Sequence, residues 1–146
     1  MSVITRKSKS EWFGDLRNGK GKITTGSRVL FDQPYDFKTR FEDAPGTNPE
    51  ELIAAAHAAC FNMAFANTLK KNGFNPKNLN CEATCTLKSK PGGGFEITMM
   101  ELHVRGQVPD IDETTFKQTA QEADQGCPVS NLLRCGLEIK IDAVLL

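Results

Sequence analysis

Residues 48–72 constrain the fold more than any other stretch, because they read as one long helix whose centre is apolar or small throughout: Leu52-Ile53-Ala54-Ala55-Ala56-His57-Ala58-Ala59-Cys60-Phe61. Both ends carry boundary signals. Asn48 can cap, Pro49 fits a first helical position that needs no N–H, and Glu51 completes a capping-box pattern. Lys70 and Lys71 complement the negative end of the helix dipole, and Gly73 stops the helix. A helix of this composition is expected to be buried on most sides. It reads as too short and too alanine-rich to span a membrane.

The rest of the chain supplies the layers to cover it. The first third alternates short extended stretches with the turn pairs Gly14-Asp15, Asn18-Gly19 and Gly26-Ser27, which indicates a small antiparallel meander. Gly19-Lys20-Gly21 reads as a hairpin turn rather than a phosphate loop. Lys90-Pro91-Gly92-Gly93-Gly94 joins two strands. In the first, Cys81, Ala83, Cys85 and Leu87 share a face; in the second, Phe95, Ile97 and Met99 run in phase before the phase moves to Met100, Leu102 and Val104. That one-residue slip predicts a β-bulge near Met99-Met100. Residues 110–125 read as an exposed helix closed by Gly126, and a short helix starts at Pro128. Leu137, Ile139, Ile141 and Ala143 then alternate as a half-buried last strand. There are no internal repeats. The order of elements indicates an α+β fold in one domain, residues 1–146.

Charge narrows the function. Eighteen basic residues balance eighteen acidic ones with no basic face, so nucleic acid is not an expected partner. No run approaches the roughly 18 apolar residues of a membrane span, and the start lacks the apolar stretch of a secretory signal. Arg6, Lys7 and Lys9 make that start basic, a slight pull toward an organelle address. Five cysteines, an odd count without Cys-x-x-Cys, do not form a disulfide framework. They fit a reducing cytosol, where a disulfide is transient and functional.

Two thiols stand out. Cys60 lies about three turns into the long helix, where the dipole has faded, so its thiolate would need a separate cation; the plain alternative is a small core residue. Cys127 precedes Pro128 and so occupies a helix cap, where free N–H groups favour a thiolate. Spacing alone leaves open which thiol attacks. Arg40 is followed by the turn Glu42-Asp43-Ala44-Pro45-Gly46, which returns the chain to the helix start. Its planar guanidinium can pair with a carboxylate while facing an anion, and Glu50 is the natural carboxylate.

Glu50 and Cys60 lie ten residues apart on one helix, about 15 Å along its axis. One copy of the helix therefore cannot bring them into one site. Two copies packed antiparallel about Ala55 would place Glu50 of one beside Cys60 of the other, and the surrounding alanines permit close approach, so a homodimer with composite sites is expected. His57 and Cys60, three apart, are the one metal-ligand pairing, but no third or fourth ligand accompanies them, and no metal is expected. Cys81 and Cys85, about 13 Å apart on one strand face, read as core, as does Cys135. Phe41, Phe61, Met63, Phe65 and Phe116 are candidates for an apolar substrate pocket, against the plainer reading of ordinary packing.

Thr39-Arg40-Phe41-Glu42, Gly46-Thr47-Asn48-Pro49-Glu50-Glu51-Leu52, Ala55-Ala56-His57-Ala58-Ala59-Cys60-Phe61 and Gly126-Cys127-Pro128-Val129-Ser130 together resemble the OsmC peroxiredoxins, and the likeness extends to Trp12 and the following meander. The related organic hydroperoxide resistance (Ohr) proteins share the Asn-Pro-Glu helix and both thiols but place the active-site arginine in the N-terminal strands. Arg40 within Thr-Arg-Phe-Glu therefore favours the OsmC branch. The resemblance implies that Cys60 is the peroxidatic and Cys127 the resolving cysteine, with Arg40 and Glu50 as the activating pair. It implies an intertwined homodimer in which antiparallel sheets enclose the long central helices, with sites at the subunit interface. It implies a cytoplasmic peroxidase of oxidative and osmotic stress defence that needs no metal, flavin or haem. The substrate implied is an organic hydroperoxide, with hydrogen peroxide reduced less efficiently, and the reductant an external, lipoyl-linked dithiol. Cys81, Cys85 and Cys135 stand outside the family pattern. The rival readings are a redox sensor or binding protein that uses the same disulfide as a switch, an Ohr-type reductase, and a metal-binding module built on His57 and Cys60.

Overall fold

The computed structural model describes residues 2–136 and 140; the alternating run expected at 137, 139, 141 and 143 lies outside them. Mixed helix and antiparallel strand make up the chain, in two compact units, Met1–Ile53 and Ala54–Leu146.

In the first unit, strands β1 (Ser8–Phe13), β2 (Lys20–Thr25) and β3 (Gln33–Tyr35) form the expected antiparallel meander in that order. The β1–β2 turn closes on Asp15, whose Oδ1 accepts from the N–H groups of Arg17 at 2.9 Å and Asn18 at 3.0 Å. Register then places Gly21 opposite both Trp12 and Tyr35. A Cβ at Gly21 would stand 2.5 Å from the Tyr35 ring and 2.7 Å from the Trp12 ring, so only glycine lets the two rings meet at 5.5 Å. A short helix absent from the sequence-based expectation follows, α1 (Phe37–Phe41). It is nucleated by a complete capping box: Asp36 Oδ1 accepts from the N–H groups of Lys38 and Thr39, and Thr39 Oγ1 accepts from the Asp36 N–H.

Helix α2 (Pro49–Lys71) begins where the sequence places it. Asn48 Oδ1 accepts from the Glu51 N–H at 2.8 Å, and its Nδ2 donates to the Thr39 carbonyl at 3.2 Å, so one side chain caps α2 and ties it to α1. An Asn48→Ala variant is expected to lose about 1 kcal/mol of stability. Its urea midpoint should fall with an unchanged slope, whereas an unmoved midpoint would show that the cap is idle.

Two expectations about α2 are corrected. It has 23 residues and is long and apolar enough to cross a membrane by length and composition. It is also not buried on most sides. His57, Phe61, Phe65 and Leu69 are buried at intervals of four, while Ala55, Ala56, Ala59, Met63 and Asn67 are exposed. The 3.6-residue period aligns the four large residues in one stripe, and a single chain offers a core to that stripe alone.

In the second unit, β4 (Asn78–Ser89) and β5 (Phe95–Gln107) form a long antiparallel hairpin. The predicted bulge exists, but at Thr98: Thr86 pairs with Met99 and Leu87 with Ile97, so β5 carries the extra residue there. This keeps Ile97 on the same face as Met100, Leu102 and Val104, opposite Leu87, Cys85, Ala83 and Cys81, and turns Met99 to the other face.

Helix α3 (Glu113–Gly126) starts later than position 110. Asp110 has a left-handed φ of 64°, and Asp112 is the cap, accepting from the Thr115 N–H at 2.8 Å. The helix was expected to be exposed, yet Thr119 and Ala123 are buried and Phe116 meets Phe65 edge-on at 5.1 Å. Helix α4 (Pro128–Cys135) follows directly. The core of this unit is Phe61, Phe65, Leu69, Ala123 and Cys127, flanked by the inner face of the hairpin.

Candidate active site

Helix α1 presents Arg40, and the first turn of α2 presents Glu50, to each other. Arg40 Nη2 donates to Glu50 Oε1 at 2.9 Å and Nε to the same oxygen at 3.2 Å. Glu50 is 8% exposed. Desolvation cancels much of the attraction in such a pair, so its clearer effect is directional. Two of the three guanidinium nitrogens are committed to one oxygen, and among the described residues Nη1 has no acceptor. Glu50 Oε2 is likewise buried, with no partner among the described residues.

A cavity of about 290 Å³ opens beside Arg40, walled by Trp12, Leu16, Tyr35, Phe37 and Phe41. Only Phe41 of the five candidate pocket residues lies here. Phe61 and Phe65 are core, Phe116 packs edge-on against Phe65, and Met63 is exposed. Sequence reasoning missed Trp12, Tyr35 and Phe37 as lining residues. The available signal was the clustering of aromatic residues on either side of Arg40 in an otherwise polar, turn-rich third.

The two thiols meet in the second unit. Cys60, on the side of α2 next to the buried stripe, packs against the core cluster that contains Cys127. Cys60 is partly exposed and Cys127 fully buried, and both are free. Their environments differ in sign. Burial pushes the Cys60 thiol up, partly opposed by the Val129 N–H, and proximity to Cys127 raises it further. Burial also pushes Cys127 up, but the Ser130 hydroxyl and N–H, the Cys60 thiol and the Val129 N–H together outweigh it and hold Cys127 below its usual range. These N–H contacts are looser than a cap hydrogen bond, which the geometry does not close. Cys127 is at once the last cap of α3 and the first of α4, as the Cys127-Pro128 step suggests.

His57, weighed as a metal ligand beside Cys60, instead turns Nε2 to Ser130 Oγ at 2.8 Å. Cys81, half-buried on β4, is pushed up by burial and by the nearby Cys127 charge. Cys85 is half-buried, but Cys135, expected in the core, is exposed because it ends the short helix α4. The structure thus assembles Arg40 with Glu50 in one unit, and Cys60 with Cys127 in the other. Chemically, the first pair can orient a cation toward a polar substrate beside an apolar cavity. The second sets a partly exposed sulfur beside a buried one.

A family model described as OsmC-like protein matches residues 41–142. The chain is 48% identical over 140 residues to the peroxiredoxin OsmC of Escherichia coli strain K12, with 96% of each protein covered. It is 28% identical over 127 residues to the organic hydroperoxide resistance protein OhrB of Bacillus subtilis strain 168, covering 86% of this chain and 91% of that relative. The crystal structure of Bacillus subtilis OhrB superposes with a TM-score of 0.68 at 26% identity, covering 95% of this chain and 97% of that one. An organic hydroperoxide resistance protein OsmC from Legionella pneumophila superposes with a TM-score of 0.67 at 22% identity over 96% of each chain, a likeness of fold alone.

Proposed function

The chain belongs to the OsmC family, and from that premise we propose that it is a cysteine-based peroxidase that reduces organic hydroperoxides, and hydrogen peroxide less efficiently, to alcohols or water. The observation that carries the reading is the adjacency of a partly exposed thiol, Cys60, to a fully buried one, Cys127. Relatives named peroxiredoxin and organic hydroperoxide resistance protein support it.

In the mechanism, the Cys60 thiolate attacks the terminal peroxide oxygen. An S–O bond forms, the O–O bond breaks, and the alkoxide leaves and is protonated to the alcohol. Cys60 cannot supply the charge by itself, since its surroundings within the unit disfavour thiolate. Arg40, oriented by Glu50, is the cation assigned to stabilise thiolate and departing oxygen. The aromatic cavity beside Arg40 receives the alkyl part of the substrate. Cys127 then displaces hydroxide from the Cys60 sulfenic acid to give a Cys60–Cys127 disulfide. An external dithiol, in our reading lipoyl-linked, restores both thiols.

The proposal takes residues 1–146 as one domain of a homodimer, packed through the exposed alanine face of α2. Arg40 and Glu50 of one copy then serve Cys60 of the other. An active species that sediments as a monomer would rule this out. The five free thiols fit a reducing cytoplasm, and the buried stripe of α2 fits a core helix rather than a membrane span.

Stopped-flow decay of an organic hydroperoxide tests the function. Without dithiol, one equivalent per site is expected to disappear in a burst; with a dithiol, decay should continue. No burst, or a burst that no dithiol extends, would overturn the reading, the second outcome favouring a disulfide switch.

A further inference from the structure

We propose that His57 and Ser130 form a buried pair that holds Cys127 ready to attack oxidised Cys60: Ser130 donates its hydroxyl proton to the Cys127 sulfur, and His57 fixes the direction of that hydroxyl. The inference rests on the resolving role read for Cys127 and adds two residues to it, one touching the reacting sulfur and one positioning residue behind it.

Placement comes first. Ser130 is the third residue of α4, whose cap is Cys127, so one helical turn sets its hydroxyl beside the sulfur, where it favours the thiolate. On its other side Ser130 Oγ meets His57 Nε2 at 2.8 Å, across 73 residues of sequence. His57 is 5% and Ser130 3% exposed, so solvent offers neither an alternative partner. His57 Nδ1 is buried with no partner among the described residues. An imidazole buried with one nitrogen unsatisfied costs stability. Here the one direct hydrogen bond of that ring among the described residues leads to the serine beside the thiol.

Proton counting sets the direction. A serine hydroxyl has one proton, and a thiolate with a full charge accepts it more strongly than a neutral ring nitrogen. Ser130 Oγ then accepts from the His57 Nε2–H. This tautomer also leaves Nδ1 as a lone pair rather than a buried proton without an acceptor. The ring need not be charged. Burial pushes the His57 pKa down, with Asp124 of α3 raising it and Arg134 of α4 lowering it. The titratable groups facing Cys127 are Cys60 of α2 and Cys81 of β4. In the step itself the Cys127 thiolate attacks the sulfenic sulfur, an S–S bond forms, the S–O bond breaks, and hydroxide leaves and takes a proton from solvent. Ser130 keeps its proton throughout.

The test reads Cys127 without peroxide. In a Cys60→Ser background, the ultraviolet thiolate signal of Cys127 is obtained by difference from the chain that also carries Cys127→Ser. Ser130→Ala and His57→Phe are each expected to raise its titration midpoint by about one pH unit, tenfold less thiolate at a given pH below the midpoint. His57→Gln, whose amide can still donate, should restore most of it. In the chain with Cys60 intact, both disruptive variants should slow disulfide closure about tenfold, more than they slow sulfenic acid formation. An unmoved midpoint in variants that melt like the parent would overturn the pairing, and an equal rise in His57→Gln would overturn the role of His57. Because a disruptive variant can fail to fold, ¹⁵N shifts of His57 in the unmutated protein give a second reading. The Nε2–H tautomer is expected, and Nδ1–H would sink the proposal. Failure of the peroxidase reading is seen separately, as undiminished hydroperoxide turnover in Cys60→Ser.

Discussion

A Cys60→Ser variant is expected to consume organic hydroperoxide no faster than solution chemistry allows, a loss of about three orders of magnitude or more. The size of the effect follows from the chemistry: a serine hydroxyl beside a buried core has no route to an anion, and without the sulfur no S–O bond forms. Cys127→Ser should behave differently. Its Cys60 still reacts once per site, after which sulfenic acid persists and is captured by a 1,3-dione probe, readable by mass spectrometry. The contrast between the variants is the measurement. Equal and undiminished turnover by both would remove the peroxidase mechanism, and loss of the first oxidation in Cys127→Ser with its retention in Cys60→Ser would show that the two sulfurs were assigned in the wrong order.

The second large effect is expected at Arg40. Arg40→Ala removes the oriented cation and should lower kcat/KM about 10²- to 10³-fold, the scale seen when one preorganised donor is taken from a developing oxyanion. It also strands Glu50, which is nearly buried, so part of any loss would be structural. Arg40→Lys separates the two effects. It keeps the charge that Glu50 needs but replaces a planar fork, which reaches Oε1 through Nε and Nη2, with a point charge. The expected outcome is near-parental stability with kcat/KM still reduced at least tenfold. Full activity in Arg40→Lys would mean that charge alone matters; full activity in Arg40→Ala would remove Arg40 from the mechanism.

How much of this was legible in the sequence depended on how local the cause was. The start of α2 was readable because Asn48, Pro49 and the basic end at Lys70-Lys71 act within one turn of themselves. The meander was readable for the same reason, from its turn residues. Helix α1 escaped because five residues carry no periodicity, and its cap, Asp36 with Thr39, resembles any turn. The bulge was placed slightly late, since Phe95, Ile97 and Met99 look continuous until Leu87 is known to pair with Ile97. The buried side of α3 depends on Phe65, far away in the chain, and so could not be read from α3 alone. Within the candidate site, the capping position of Cys127 and the pairing of Arg40 with Glu50 were visible locally. The aromatic cavity was not, because it depends on the register that sets Gly21 between Trp12 and Tyr35.

The complete burial of Cys127 has a directional consequence for recycling. If Cys60 and Cys127 bond as proposed, only the Cys60 sulfur, partly exposed, would face outward, so an incoming dithiol would be expected to make its mixed disulfide there. Cys127 would then depart as the leaving group, and the Ser130 and Val129 contacts that favour its thiolate would assist that departure. The same enclosure denies oxidants a path to Cys127, so irreversible damage to the reactive pair should accumulate at its partner alone.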